Sequence, residues 1–257
     1  MSLSDLLEAA LPPLREGDAH VAPALDWLDT APYGASPPEA SIQALLVLGQ
    51  KQLDAGAMDQ ALIFFEKAAR SRHPHAVNML GRAYERGWGC RRHPSRAARL
   101  FQQSAKGGDG WAMFNLADLT LKGDGCARDN ILALRLYMAA AGRGVSKALN
   151  MIGLICERGL CGQRDPAQAL ELYLGGAEAG DGWAALNAAR CLLASGARRE
   201  AVAQMRRAAE LGQSDLAKHI GDLTAAYPGL AAICAEDAIL GPVMALSSSA
   251  SARHGAL

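Results

Sequence analysis

The stretch Ala76-Val-Asn-Met-Leu-Gly81-Arg-Ala-Tyr84-Glu-Arg-Gly87-Trp-Gly89-Cys90 decides how the chain is read. Thirty-six residues on stands Ala112-Met-Phe-Asn-Leu-Ala117-Asp-Leu-Thr120-Leu-Lys-Gly123-Asp-Gly125-Cys126. At the same spacing again comes Ala148-Leu-Asn-Met-Ile-Gly153-Leu-Ile-Cys156-Glu-Arg-Gly159-Leu-Cys161-Gly162, and Ala184 opens a fourth copy. Self-similarity at a fixed period means stacked supersecondary units, each burying its apolar face on its neighbours. Such arrays present surfaces more often than they perform chemistry.

Within one period the grammar is helix, turn, helix. Leu80, Ala83, Tyr84 and Gly87 recur three and four apart, as one face of a helix requires. Gly87 to His93 breaks it, and Pro94 suits the first position of a second helix. That helix carries Ala97, Leu100, Phe101, Ser104 and Ala105 on one stripe before Gly107-Gly108 ends it. Asp129 and Asp165 stand where His93 stands, placed to cap the second helix. Phe101, Tyr137 and Tyr173 align, and Gly108, Gly144 and Gly180 close the units. Two flanking units, Ala44 to Ala76 and Ala184 to Leu216, have cut-down loops and read as tighter hairpins. The expected organisation is an N-terminal extension with short helices over 1–40 and a repeat array over 41–227. A capping helix over 228–241 and a disordered tail over 242–257 follow. Within the extension a short helix is expected over 5–11, another turn around Leu25, Trp27 and Leu28, and a helix start at Ser36-Pro-Pro-Glu39.

The 257 residues are half apolar and one fifth charged, ordinary for a globular protein, with only 5% aromatic side chains and much Ala and Gly. That composition suits helices packed closely through small residues. The formal net charge is zero, so no global basic field draws nucleic acid. The amino terminus has acidic residues where a secretory signal needs a basic region, and no window reaches the ~18 apolar residues of a membrane span. The expectation is a cytoplasmic protein. Six cysteines are too few for a disulfide framework.

These residues resemble the Sel-1-like repeat family, an α/α solenoid related to tetratricopeptide repeats. Ala76, Leu80-Gly81, Tyr84, Gly87, Gly89, Ala97, Phe101 and Gly108 carry the resemblance, as do Ala112, Leu116, Gly123, Gly125, Asp129, Ala133, Tyr137 and Gly144. Ala148, Ile152-Gly153, Gly159, Asp165, Ala169, Tyr173 and Gly180 form a third unit in register. Cys90 and Cys126 replace the usual Val, Thr120 and Cys156 the Tyr, and Cys161 a loop Gly. The resemblance implies an all-α, right-handed superhelical solenoid of helix-turn-helix repeats that acts as a scaffold or adaptor.

Candidate partner-binding residues follow from rows of equivalent positions. Arg86, Lys122 and Arg158 end the first helices. Aligned, they would hold an acidic segment, although cations also favour a helix C-terminus on dipole grounds alone. Asn78, Asn115, Asn150 and Asn187 would form an amide ladder for an extended peptide. They alternate between two places in the unit, about 100° apart around the helix, so some must face a neighbouring helix. Trp88 is the surface candidate among the tryptophans, whereas Trp111 and Trp183 lie at unit junctions and are expected to wedge between hairpins. Cys90, Cys126 and Cys161 form a row too widely spaced for disulfides. His73, His75 and His93 lack further metal ligands, and no nucleophile or phosphate-loop motif is present. The expected function is non-enzymatic binding of a protein or peptide on the concave face, with no cofactor, metal or nucleic acid. A homo-oligomer and a hydrolase-like accessory enzyme are the alternatives. Residues 1–40, with Leu6-Leu7 and Trp27-Leu28, are a candidate for filling the groove.

Overall fold

The structure, a computed structural model, describes residues 39–211, 216–227, 229–235 and 237–242. The expectations for residues 1–38, groove filling included, and for the tail beyond residue 242 fall outside them. The described residues contain twelve helices and no strand. They form two compact units that meet in sequence between Arg143 and Gly144.

The first unit holds three antiparallel hairpins: α1 (Glu39–Asp54) with α2 (Met58–Ala69), α3 (Pro74–Arg86) with α4 (Pro94–Lys106), and α5 (Gly110–Lys122) with α6 (Asn130–Gly142). The second holds α7 (Lys147–Arg158) with α8 (Pro166–Glu178) and α9 (Gly182–Ala194) with α10 (Arg198–Glu210), then α11 (Leu216–Ala226) and α12 (Leu230–Ala235). Hairpins stack second helix to next first helix, α2 on α3, α4 on α5 and α8 on α9. The first helices of successive hairpins also touch, α1 with α3, α3 with α5 and α7 with α9. This is the α/α solenoid that the 36-residue period predicts.

The long loop owes its shape to backbone, which explains why its side chains vary. Gly87, Gly123 and Gly159 end the first helices in the left-handed conformation, at φ 77°, 71° and 65°. The N–H of His93, Asp129 and Asp165 then donates to the carbonyl of Tyr84, Thr120 and Cys156, at 2.7, 3.1 and 3.1 Å. Only a carbonyl is needed at that position, so Tyr gives way to Thr and Cys without loss of the turn. The second glycine of the loop, left-handed as well at φ 78° in Gly125, also allows close approach, because a Cβ at Gly125 would overlap the backbone of Pro94 and Ser95 in the preceding hairpin. The short loops share their own turn. Ala57 N–H donates to Gln52 at 2.8 Å and Ala197 N–H to Leu192 at 2.9 Å, around Gly56 and Gly196.

Capping follows the sequence reading at Asp129 and Asp165, whose carboxylates accept from Leu132 and Gln168 N–H, both at 2.9 Å. His93 makes no side-chain cap. Asp109 and Asp181 cap first helices in the same way, accepting from Ala112 N–H at 2.8 Å and Trp183 N–H at 3.1 Å.

In each unit the core is a layer of alanines with large side chains keyed between them. Ala76, Ala83, Ala97, Ala112, Ala117 and Ala133 are fully buried around Phe65, Phe101, Leu119 and Tyr137 in the first unit. Ala148, Ala169, Ala184 and Ala189 accompany Ile152, Leu172, Tyr173 and Met205 in the second. The small side chains let helix axes approach, and the hydrophobic effect then acts on nearly every apolar atom of the interface. α11 and α12 bury Leu216, Ile220, Leu230 and Cys234 in one cluster with Met205 and Val202. Arg206 pairs with Asp237, which also accepts from the backbone N–H of Ile239 and Leu240.

Candidate functional site

The asparagines and the helix-ending cations singled out in the sequence lie on the first helices, so the site is built from them. At the start of each pair of stacked hairpins an aspartate organises the contact. In the first unit Asp109 caps α5, accepts from Asn78 Nδ2 at 3.4 Å and faces His75 Nδ1 at 3.4 Å. Asn115 Nδ2 then donates to Asn78 Oδ1 at 3.0 Å. The second unit repeats the arrangement seventy-two residues on. Asp181 caps α9, Lys147 replaces His75, and Asn187 Nδ2 donates to Asn150 Oδ1 at 2.8 Å.

The four asparagines therefore form two structural bonds between neighbouring first helices, not one open ladder. Asn78 is 1% exposed and Asn150 is 9% exposed, so neither amide is available to a partner. Asn115 and Asn187 keep one edge toward solvent. The one-residue change of register noted in the sequence is what lets the amides of adjacent helices meet.

Trp88 and Trp111 depart from the roles expected of them. Trp88 is half-buried against the core of the first unit, its ring 6.3 Å from Phe65 with the Arg82 guanidinium 5.2 Å above it. Its loop folds back over α2, which the sequence alone does not reveal. Trp111 is 46% exposed and lies edge-on to Phe114, which in turn packs on Tyr137. Trp183 does pack at a junction, edge-on to His219 of α11.

Arg86, Lys122 and Arg158 all lie in the last turn of a first helix with exposed side chains. Lys122 is paired with Asp118 at 3.6 Å and Arg86 approaches Glu85 at 3.9 Å. Arg158 instead borders a cleft of about 280 Å³ in the second unit, together with Leu154 and Glu157 of α7, Arg164 of the following loop, and Asn187 and Arg190 of α9. Glu157 Oε2 accepts from Arg190 at 2.6 Å and from the Tyr173 hydroxyl at 2.8 Å. The bond from Arg190 holds the Glu157 carboxyl below the usual carboxylate range, with Tyr173 adding to the effect. Arg164 Nε donates to the Glu157 carbonyl at 2.8 Å, fixing its guanidinium at the rim. Three arginines thus face one already engaged carboxylate.

Arg164 and Arg190 escape the reading of the sequence because they fall outside the row of helix-ending cations. A signal for them exists: Arg92, Arg128 and Arg164 recur at thirty-six residues, and Arg190 stands where Asp118 stands seventy-two residues earlier.

None of the six cysteines forms a disulfide; Cys156 and Cys234 are buried and the other four half-buried. Among the described residues no group of three His, Cys, Asp or Glu is arranged to hold a metal ion, and no helix is long and apolar enough to cross a membrane.

Comparison with known proteins agrees with this architecture. The Sel1 repeat pattern matches residues 54–73, 74–109, 112–145 and 146–181. A Sel1 repeat protein from Oxalobacter formigenes superposes with TM-score 0.69 at 24% identity, over 83% of this chain and 91% of that one. The protein c5321, a protective antigen of uropathogenic Escherichia coli with the same repeat fold, gives TM-score 0.58 at 27% identity over 72% of this chain; the match spans 42% of that longer protein. A sel1 repeat protein of Klebsiella pneumoniae subsp. pneumoniae gives 0.52 at 18% identity, over 73% and 97% of the two chains. No curated protein matches the chain at a significant level. With four consecutive repeats recognised at the period that its loops and caps obey, the chain belongs to the Sel1-like repeat family.

Proposed function

We propose that the chain is a non-enzymatic scaffold or adaptor that holds a partner protein on the first-helix face of its hairpins. Sel1 repeat arrays generally serve as protein-interaction scaffolds, and the fold here is such an array. The observation that carries the reading is the arginine-lined cleft between α7 and α9, set on backbone that the Asn150–Asn187 bond already holds rigid. A pre-organised surface loses little freedom on binding, so the ordering cost falls on the partner. Exposed Trp111, which with Asn115 occupies α5, offers an aromatic anchor of the kind enriched in binding hot spots. Cysteines without disulfides suit a reducing, cytoplasmic setting.

Affinity capture from native lysate tests the reading. The wild type is expected to retain a specific protein that is lost on substituting Trp111→Ala together with Arg158→Glu, at unchanged helicity. Absence of any specific partner, or equal capture by both proteins, contradicts binding on this face.

A further inference from the structure

We propose that the cleft between α7 and α9 receives a glutamate side chain from an acidic segment of the partner, an assignment that rests on the scaffold reading above. Its charge is the first reason. Arg190 and Tyr173 already engage Glu157, which leaves Arg158 and Arg164 to an incoming carboxylate. Among the described residues neither has an ion pair with an acid of its own. A guanidinium offers its remaining donors in a planar fork that matches a carboxylate.

Comparison with the equivalent place in the first unit shows why the second is open. Arg92 is held as Arg164 is, with Nε donating to the Glu85 carbonyl at 2.9 Å. Its outer nitrogen, however, is taken by Asp124 from the next long loop. The loop that would supply such an acid to Arg164 is the short one at Ser195-Gly196-Ala197, and no carboxylate lies there. The first unit further carries Asp118 where the second carries Arg190, and that aspartate binds the Tyr137 hydroxyl and Lys122. At this place the first unit pairs Arg92 and Lys122 with acids from the loop and first helix of the α5–α6 hairpin, whereas the second leaves Arg158 and Arg164 without one among the described residues.

The rest of the lining selects the ligand. Leu154, at the position of Arg82 in the first unit, gives the cleft an apolar wall for the methylene stem of glutamate, which aspartate is a carbon too short to cover. Asn187 donates to Asn150, so its carbonyl oxygen stays free to accept a backbone N–H of the bound segment. At about 280 Å³ the space sits at the low end of ligand pockets, suited to a side chain and its backbone. α7 ends here, and bare terminal carbonyls would repel an anion. Three of the helix's last four are masked: Arg164 takes that of Glu157, Gly159 N–H that of Cys156 and Leu160 N–H that of Ile155.

Fluorescence anisotropy with the full chain tests the assignment, using fluorescein-labelled tetraglutamate amidated at its C-terminus, with tetraaspartate and tetraglutamine of the same design. Tetraglutamate is expected to bind, to weaken several-fold between about 50 and about 300 mM NaCl as screening grows, and to exceed tetraglutamine at least tenfold. The double substitution Arg158→Gln with Arg164→Gln should lose at least tenfold, and the reversal to Glu at both positions should lose more. Arg86→Gln with Arg92→Gln in the first unit should stay within twofold of wild type. Circular dichroism on each variant separates lost binding from lost fold. Equal loss from both double substitutions, or equal binding of tetraglutamine, overturns the assignment; tetraaspartate equal to tetraglutamate overturns its choice of glutamate. A wild type that captures a protein from lysate yet ignores tetraglutamate leaves the scaffold standing and removes only the cleft, whereas failure to capture any protein removes the scaffold reading itself.

Discussion

Replacing Gly81 by alanine probes the packing within a hairpin sharply. Gly81 lies mid-way along α3, with the ring of Phe101 from α4 against its backbone. A Cβ added there would stand 2.6 Å from Cε1 and 2.8 Å from Cδ1 of that ring. Carbon contacts relax near 3.5–4.0 Å, so ring or helix must shift by about 1 Å. Phe101 is fully buried and has no room to swing. Overpacking a core costs about 1–3 kcal/mol, and alanine returns about 1 kcal/mol of helix propensity. With two ring atoms inside 3 Å the upper part of the range applies, which leaves a net loss of about 1–2 kcal/mol. For a chain of this size that lowers Tm by roughly 2–8 °C, measurable by far-UV circular dichroism. Gly142→Ala is the control, because nothing lies within 4 Å of the added carbon at the end of α6; it should leave Tm unchanged or slightly raised. The same glycine–ring contact recurs at Gly49 with Phe65 and at Gly153 with Tyr173. A Gly81→Ala protein as stable as wild type would refute the claim that these glycines exist to seat the ring.

Two further expectations concern ionisable groups. Burial works against the Asp109 carboxylate, yet the bonds from His75 and Ala112 N–H prevail and hold its pKa below the ordinary value. Its contribution to stability is therefore present above the unfolded carboxylate value of about 3.9 and is lost as pH falls through the folded one. Asp181 differs: burial raises its pKa, it is 1% exposed, and Oδ2 has no hydrogen-bond partner. Its ionisation is a burden that grows as pH rises from about 3.9 and is complete above the folded pKa. At pH 7, urea denaturation should accordingly show Asp109→Asn destabilised and Asp181→Asn neutral or stabilised, both differences shrinking toward pH 3; equal effects at the two positions would contradict this account. Burial first, and then the bonds to Asp118 and Glu157, push the Tyr137 and Tyr173 hydroxyls far above the usual phenol range. Alkaline titration at about 295 nm should thus be unchanged by replacing both with Phe for as long as the fold persists. A loss of absorbance change in that variant below the unfolding transition would show the phenols to be free.

The hairpin stack was legible because local and global rules agree in it: period, loop glycines and helix-start aspartates all point to one architecture. Asp129 and Asp165 could be assigned as caps because capping needs only a neighbouring backbone N–H. The asparagines were legible in half. Their shift of register showed that they could not form one continuous ladder, but the pairing of Asn78 with Asn115 depends on how two helices approach. Trp88 and Trp111 illustrate the limit more plainly. Each sits beside a glycine in the sequence, and only the path of the loop over Phe65 half-buries the first. The cleft was legible only in part, through Arg158 and Asn187. Arg92 and Arg164 are equivalent in the sequence, and the difference between them lies in Asp124, thirty-two residues beyond the first and without counterpart beyond the second.

The central claim is that a partner lies against the first helices rather than the second. Photo-crosslinking tests it directly, with a benzophenone amino acid placed in turn at Lys122 and Met151 on first helices, and at Arg135 and Glu171 on second helices. With the partner captured from lysate, the account predicts crosslinked product from Lys122 or Met151 and none from Arg135 or Glu171. Crosslinking confined to the second-helix positions would contradict it.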